Sequence, residues 1–205
     1  MSIFFNKLKK GIKQSEIEIF SGNISQNIPV KPSDIFKIKS YCILCHAGIE
    51  DYIESIVRHT TLKNFNLISK GRGSKKFIKS ISFWFFHKAI PISSSSVQHK
   101  VGGLFNKNKD EEIFSEMQTH VTNVLQENHG IREDNLKKLL EPLGIPTSQF
   151  DQIWLNDMDT FGKLRGNFAH TSPQIAPSIS SDTAVNDVKK LMVGLEKFDG
   201  YLTTY

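Results

Sequence analysis

The sequence predicts an all-α fold, a helical bundle of four to five main helices with an N-terminal arm over residues 1–32. Three observations predict it. Apolar residues recur at gaps of three and four through most of the chain, which is the spacing of one helix face. Prolines and clusters of glycine and serine separate these runs. No internal repeat and no strand-like alternation competes with them.

Residues 1–32 show little periodicity and end in Pro29-Val30-Lys31-Pro32, an extended, helix-breaking stretch, so they read as an arm wrapped on the domain. Ser33 can cap the first long helix, expected over about 34–60 from Ile35, Ile38, Cys42, Cys45, Ile49, Tyr52, Ile53 and Ile56. Gly71-Arg72-Gly73-Ser74 breaks that pattern. A shorter helix follows over 75–90, stopped by Pro91, and Ser93 to Ser96 with Gly102 and Gly103 make a loop. Ile113, Met117, Val121, Val124 and Leu125 mark a helix over roughly 109–128, with Gly130 as its stop. A short helix is expected around Leu136, Leu139 and Leu140. Pro146 and Thr147 open the next, about 148–170, whose apolar face holds Phe150, Ile153, Trp154, Phe161, Leu164 and Phe168. Pro173 and Pro177 end it, and a last helix, about 182–202, repeats the spacing at Val185, Val188, Leu191, Leu195, Phe198 and Leu202. Residues 33–205 thus read as a single domain.

A hydrophobic fraction of 39% and a charged fraction of 23% exclude wholesale disorder. The formal charge of +5 suits phosphate binding and plain solubility equally. The most apolar stretch, Ile81-Ser82-Phe83-Trp84-Phe85-Phe86, is far too short to span a bilayer. At the N-terminus, Lys7, Lys9 and Lys10 follow the apolar residues, the reverse of a secretory signal. A cytoplasmic protein with two reduced cysteines is expected.

Those cysteines form Cys42-Ile43-Leu44-Cys45-His46, the C-x-x-C-H spacing of covalent haem attachment. The motif lies mid-helix on the apolar face of Ile38 and Ile49, there is no second cysteine pair for a zinc site, and no strand precedes it as in a redox motif. Both cysteines therefore read as small core residues, and a haem or redox protein is the lesser reading.

A quieter motif is Leu164-Arg165-Gly166-Asn167-Phe168-Ala169-His170-Thr171. Arg165 and His170 sit five positions apart at the end of an amphipathic helix, turned by well over a quarter circle yet able to converge on one groove. Gly162 and Gly166 flank the arginine, and each helical glycine costs roughly 1 kcal/mol relative to alanine, so their spacing points to a closely approaching helix, here expected as a dimer interface. On spacing alone, a surface arginine and a dipole-favoured C-terminal histidine explain the pair as well.

Arg165-Gly166-Asn167-Phe168-Ala169-His170 resembles the R-x4-6-H motif of the HEPN superfamily (higher eukaryotes and prokaryotes nucleotide-binding domains), which ends a late helix of a four- or five-helix bundle. His46-Ala47-Gly48-Ile49-Glu50-Asp51-Tyr52-Ile53-Glu54 resembles the first long helix of its RiboL-PSP branch. The matching stretches are about residues 34–60 and 148–172. One departure is Gly166, where many members place a polar residue; Asn167 follows it.

The resemblance implies a metal-independent endoribonuclease without a cofactor, working as a face-to-face homodimer on RNA. His170 is then the general acid/base and Arg165 the transition-state clamp, with Asn167 supporting them. Glu50 either orients His170 or Arg165 or is an ordinary solvated carboxylate. Arg72, Lys75 and Lys76, with Lys163, are candidates for tracking RNA phosphates, and the first three read equally as a solvated loop. Trp84 with Phe83, Phe85 and Phe86 reads first as core and second as a base-stacking platform. A toxin–antitoxin or antiphage-defence setting is implied, with an antitoxin or other regulatory protein as partner. The alternatives are an inactive HEPN module that binds RNA, nucleotide or a protein, and a helical dimerisation subunit.

Overall fold

The computed structural model describes residues 1–29, 31–69, 110–170 and 179–205. Among these residues the chain forms six α-helices and no strand. They are α1 (Ile3–Phe20), α2 (Pro32–Ser69), α3 (Asp110–Gln126), α4 (Glu133–Leu140), α5 (Gln152–His170) and α6 (Ser181–Thr204), with short 3-10 turns at Glu141–Leu143 and Thr147–Gln149. The helix expected over 75–90 lies outside the described residues, as do Arg72, Lys75, Lys76 and the Trp84 aromatic cluster.

Two compact units divide the chain. The first comprises residues 1–56, 129–136 and 147–205, and the second 57–128 and 137–146. The first unit holds α1, the N-terminal part of α2, the start of α4, and α5 and α6.

Within the N-terminal arm, residues 3–20 form a helix. Ser2 caps it, its Oγ accepting the Phe5 N–H at 3.1 Å, and Phe5, Leu8 and Phe20 are buried. The helix packs on α6. The Asp199 carboxylate of α6 is fully buried and accepts hydrogen bonds from the Ser2 backbone N–H (2.7 Å), the Ser2 hydroxyl and the Tyr52 hydroxyl (3.1 Å). A buried carboxylate is tolerable only with donors of this kind around it. Desolvation, reinforced by Asp199, pushes the Tyr52 phenol well above its ordinary pKa.

Helix α2 starts at Pro32, where a missing N–H costs nothing and the ring pre-sets the helical φ. It runs to Ser69, beyond the expected end near 60. The extension was hidden because its buried positions are polar: Thr60, Thr61 and Asn64. Thr61 and Asn64 return their donors to the carbonyls of Val57 and Thr60, one turn back, at 2.9 Å each. In the second unit, Leu139, Leu140, Leu143 and Ile145 are buried around Gly144, whose left-handed φ of 66° closes the turn.

Helices α5 and α6 cross closely. Trp154 donates its indole N–H to the Leu191 carbonyl at 3.2 Å and occupies the space above Gly194, where any Cβ would lie 2.0 Å from the ring. Phe198 joins this contact to the rest of the unit, with its ring 5.9 Å from Trp154, 5.1 Å from Phe150 and 6.5 Å from Tyr52. Each such fully buried large side chain contributes about 1.5–3 kcal/mol of transfer free energy. No helix among the described residues is long and apolar enough to cross a membrane.

Candidate functional site

The core stripe of α2 runs through Ile38, Tyr41, Cys42, Cys45, Ile49, Tyr52, Ile53 and Ile56, all buried. Cys42 and Cys45 are free thiols inside this stripe, as core packing requires. Desolvation, with smaller help from Cys45 and Asp187 charge, pushes the Cys42 thiol up to about 12; desolvation also pushes Cys45 up to about 12. Neither is a thiolate at neutral pH, and a buried thiol of this kind is inert.

The edge of the same stripe is polar. His46 and Glu50 lie one helical turn apart, so they share a face. His46 is 2% exposed and its Nδ1 stands 3.7 Å from Glu50 Oε2. Helix α5 runs antiparallel to this edge. Phe161 lies face to face with the His46 ring, centroids 6.4 Å apart and planes 23° apart, while Phe168 lies under the Lys39 ammonium at 5.7 Å.

Arg165, half-buried and one turn after Phe161, lies close enough to His46 and Glu50 for its charge to act on both. Desolvation, and then the positive charge of Arg165, lower the His46 pKa to about 4, so the imidazole is neutral. Burial and the neighbouring Glu54 raise the Glu50 pKa, while Arg165 and His129 pull it back down.

His129 reaches this cluster from the turn before α4. That turn is fixed to α5 by Asp159, whose Oδ1 accepts the Glu133 N–H at 2.8 Å and lies 3.8 Å from Arg132 Nε. The carboxylate thereby satisfies a free N–H at the α4 N-terminus. Gly162 belongs to this contact, because a Cβ there would lie 2.7 Å from Arg132 Cγ of the same chain.

The structure therefore places Arg165 and Glu50, both candidates from the sequence, near His46, named there only within the C-x-x-C-H and RiboL-PSP-like stretches, and near His129, which the sequence did not single out. His46 carried a usable signal in its four-residue spacing from Glu50, masked by the louder C-x-x-C-H pattern. His129 carried none, since it reaches the cluster through a turn about 35 residues before Arg165 in the sequence.

The other singled-out residues lie elsewhere. His170 is exposed, the last residue of α5, about 140° around the helix from Arg165. Asn167 and Lys163 are exposed on α5, and Gly166 has no atom outside its own helix segment within 4 Å of where a Cβ would stand. Among the described residues no group of His, Cys, Asp and Glu side chains is arranged to hold a metal. Two cavities, about 250 Å³ between α1 and α2 and about 490 Å³ beside the 21–31 connection, lie away from Arg165.

A helical bundle in which an Arg-x4-His motif closes a late helix has the architecture of a HEPN domain. The RiboL-PSP-HEPN family matches residues 11–204, and the chain belongs to that family. HEPN domains typically act on RNA and often dimerise. No curated protein and no solved structure gives a significant match.

Proposed function

We propose that this protein is a metal-independent endoribonuclease that cleaves RNA by attack of a 2′-hydroxyl on the adjacent phosphorus, leaving 2′,3′-cyclic phosphate and 5′-hydroxyl ends. The observation that supports it is the setting of Arg165. The arginine of the family motif is half-buried and close enough to Glu50 for its charge to act on it, in surroundings that shield it from water. A guanidinium so placed is planar, permanently charged and only partly screened, which suits it to the negative charge that gathers on a phosphorane-like transition state.

In this reading His170 takes the 2′-hydroxyl proton or supplies one to the leaving 5′-oxygen, since an imidazole can do either near neutral pH. Glu50 orients Arg165, Asn167 supports the pair, and Lys163 with Arg72, Lys75 and Lys76 tracks phosphates. One histidine cannot be base and acid in the same event. A homodimer would bring a second Arg165–His170 pair to the scissile phosphate, and the open space beside Gly166 on α5, next to Gly162, gives a partner helix room to approach. Such an activity would need restraint by an antitoxin or regulatory protein, in a toxin–antitoxin or antiphage-defence setting in the cytoplasm.

A second reading is an inactive HEPN module that binds RNA, nucleotide or a protein partner. Gly166, in place of the polar residue that usually follows the motif arginine, favours it. Cleavage of a pool of single-stranded RNA and tRNA in excess EDTA separates the two readings, with wild type beside Arg165→Ala and His170→Ala. The ribonuclease reading expects cyclic-phosphate ends from wild type only, and no cutting of DNA, which lacks the 2′-hydroxyl. An inert wild type that still binds RNA supports the second reading.

A further inference from the structure

The buried edge of the Arg165 cluster holds a polar atom with no partner. His46 Nδ1 is shielded from solvent and makes no hydrogen bond. Its nearest acceptor, Glu50 Oε2 at 3.7 Å, is beyond hydrogen-bond reach by under an ångström. Leaving such an atom unsatisfied costs about 1–3 kcal/mol, a cost that a leucine or phenylalanine at this core position would avoid. The Phe161 ring lies near-parallel to the imidazole, with centroids 6.4 Å apart.

We propose that His46 is a positioning residue for Glu50: its Nδ1–H closes onto the Glu50 carboxylate and fixes the orientation in which that carboxylate lies within the field of Arg165. The proposal rests on the reading of Arg165 as the working cation of the site. It requires the imidazole to be neutral and to carry its proton on Nδ1. Neutrality follows from burial and from the Arg165 charge. A cationic His46 would compete with Arg165 for the same carboxylate, whereas a neutral one offers Glu50 a dipole and leaves its charge to the arginine. The other groups that act on Glu50 are Glu54 on its own helix, Arg165 on α5 and His129 from the turn before α4. Glu54 opposes the carboxylate form, and His129 reaches it from an exposed position. His46, unlike exposed His129, is buried, with its Nδ1 3.7 Å from the carboxylate. A carboxylate pinned at one oxygen presents the other in a defined direction, and preorganisation of this kind is what a forked guanidinium clamp depends on.

The test begins with the wild-type protein. Long-range proton–nitrogen NMR reads the His46 tautomer, and carboxyl-carbon NMR follows the titration of Glu50. The expected result is an Nδ1–H tautomer at pH 7. In His46→Leu, which fills the space but donates nothing, the Glu50 midpoint should rise. His46→Asn places an amide N–H close to the lost Nδ1 and should bring the midpoint back. On RNA, His46→Leu should lower kcat by about tenfold or more, with KM little changed, and His46→Asn should recover most of it. An Nε2–H tautomer in wild type, or a Glu50 midpoint unmoved in both variants, overturns the proposal. If wild type cuts no RNA, the ribonuclease reading fails separately, while the NMR results still decide whether His46 holds Glu50.

Discussion

Acid should destabilise this protein through His46. The folded imidazole takes up a proton only near pH 4 because burial and then Arg165 disfavour its charged form. In the unfolded chain it does so at about 6.5. Between those values the unfolded state binds more protons, so stability is fully present above pH 6.5 and falls as pH falls toward 4. For a folded value of about 4, lowering the pH from 7 to 5 removes about 2 kcal/mol, and the loss approaches about 3 kcal/mol below both values. Glu50 works in the opposite sense, since a raised folded pKa withdraws stability as pH rises through the carboxylate range. It is present in wild type and in His46→Asn alike, so comparing the two isolates the histidine. Urea unfolding at pH 7 and pH 5 provides the measurement. Wild type should lose about 2 kcal/mol more than His46→Asn between the two pH values. Equal losses would show that His46 is not held neutral by its surroundings, and the reasoning from burial and Arg165 would fail.

The other expectations concern packing and reactivity. Gly194→Ala should destabilise by about 1–3 kcal/mol, read as a lower Tm, because its Cβ would lie 2.0 Å from Trp154 Cδ1. Gly166→Ala meets nothing within 4 Å and should raise stability by about 0.5–1 kcal/mol in the isolated chain, while sedimentation shows whether it weakens self-association. Asp199→Ala strips the acceptor from Ser2 and the Tyr52 hydroxyl and should cost about 2–4 kcal/mol in a denaturant titration. Cys42 and Cys45, pushed up to about 12 by burial, should resist iodoacetamide at pH 8 in the folded protein and react only as fast as the chain opens.

What the sequence made legible follows the strength of its apolar pattern. Helices α5 and α6 are legible because Trp154, Phe161 and Phe168, and Val185 to Leu202, are buried at helical spacing, although Ile153, expected on the same face of α5, is 73% exposed. Helix α1 escaped notice although Phe5, Leu8 and Ile12 have helical spacing, because exposed Ile3 and Ile17 blur the stripe and Gly11 lies within it. The far end of α2 escaped for the reverse reason: its buried face is threonine and asparagine, invisible to hydrophobic periodicity. At the site, Arg165 and Glu50 could be named from a motif and a helix. Their meeting could not, because it depends on how α2 and α5 cross and on Asp159 holding the turn before α4. Long-range placement of this sort is set by packing, and no local spacing encodes it.

The arrangement of α2 explains how one helix serves the core and the site together. Residues 38, 42, 45, 49, 53 and 56 point into the core, while buried His46 and partly exposed Glu50 lie on its flank. Arg165 meets that flank from α5, so it is half-dehydrated and its field is less screened than that of a surface arginine. His170, five residues on, has turned away from the flank and stands in solvent at the helix end. On the proposed reading these are separate requirements met by one helix. The group that stabilises charge gains from being fixed and dry, and the group that moves a proton gains from being near water. Swapping the environments would defeat both roles, as His46 demonstrates: the same imidazole, moved to the dry side, is driven to a pKa of about 4 and can no longer act as an acid near neutrality.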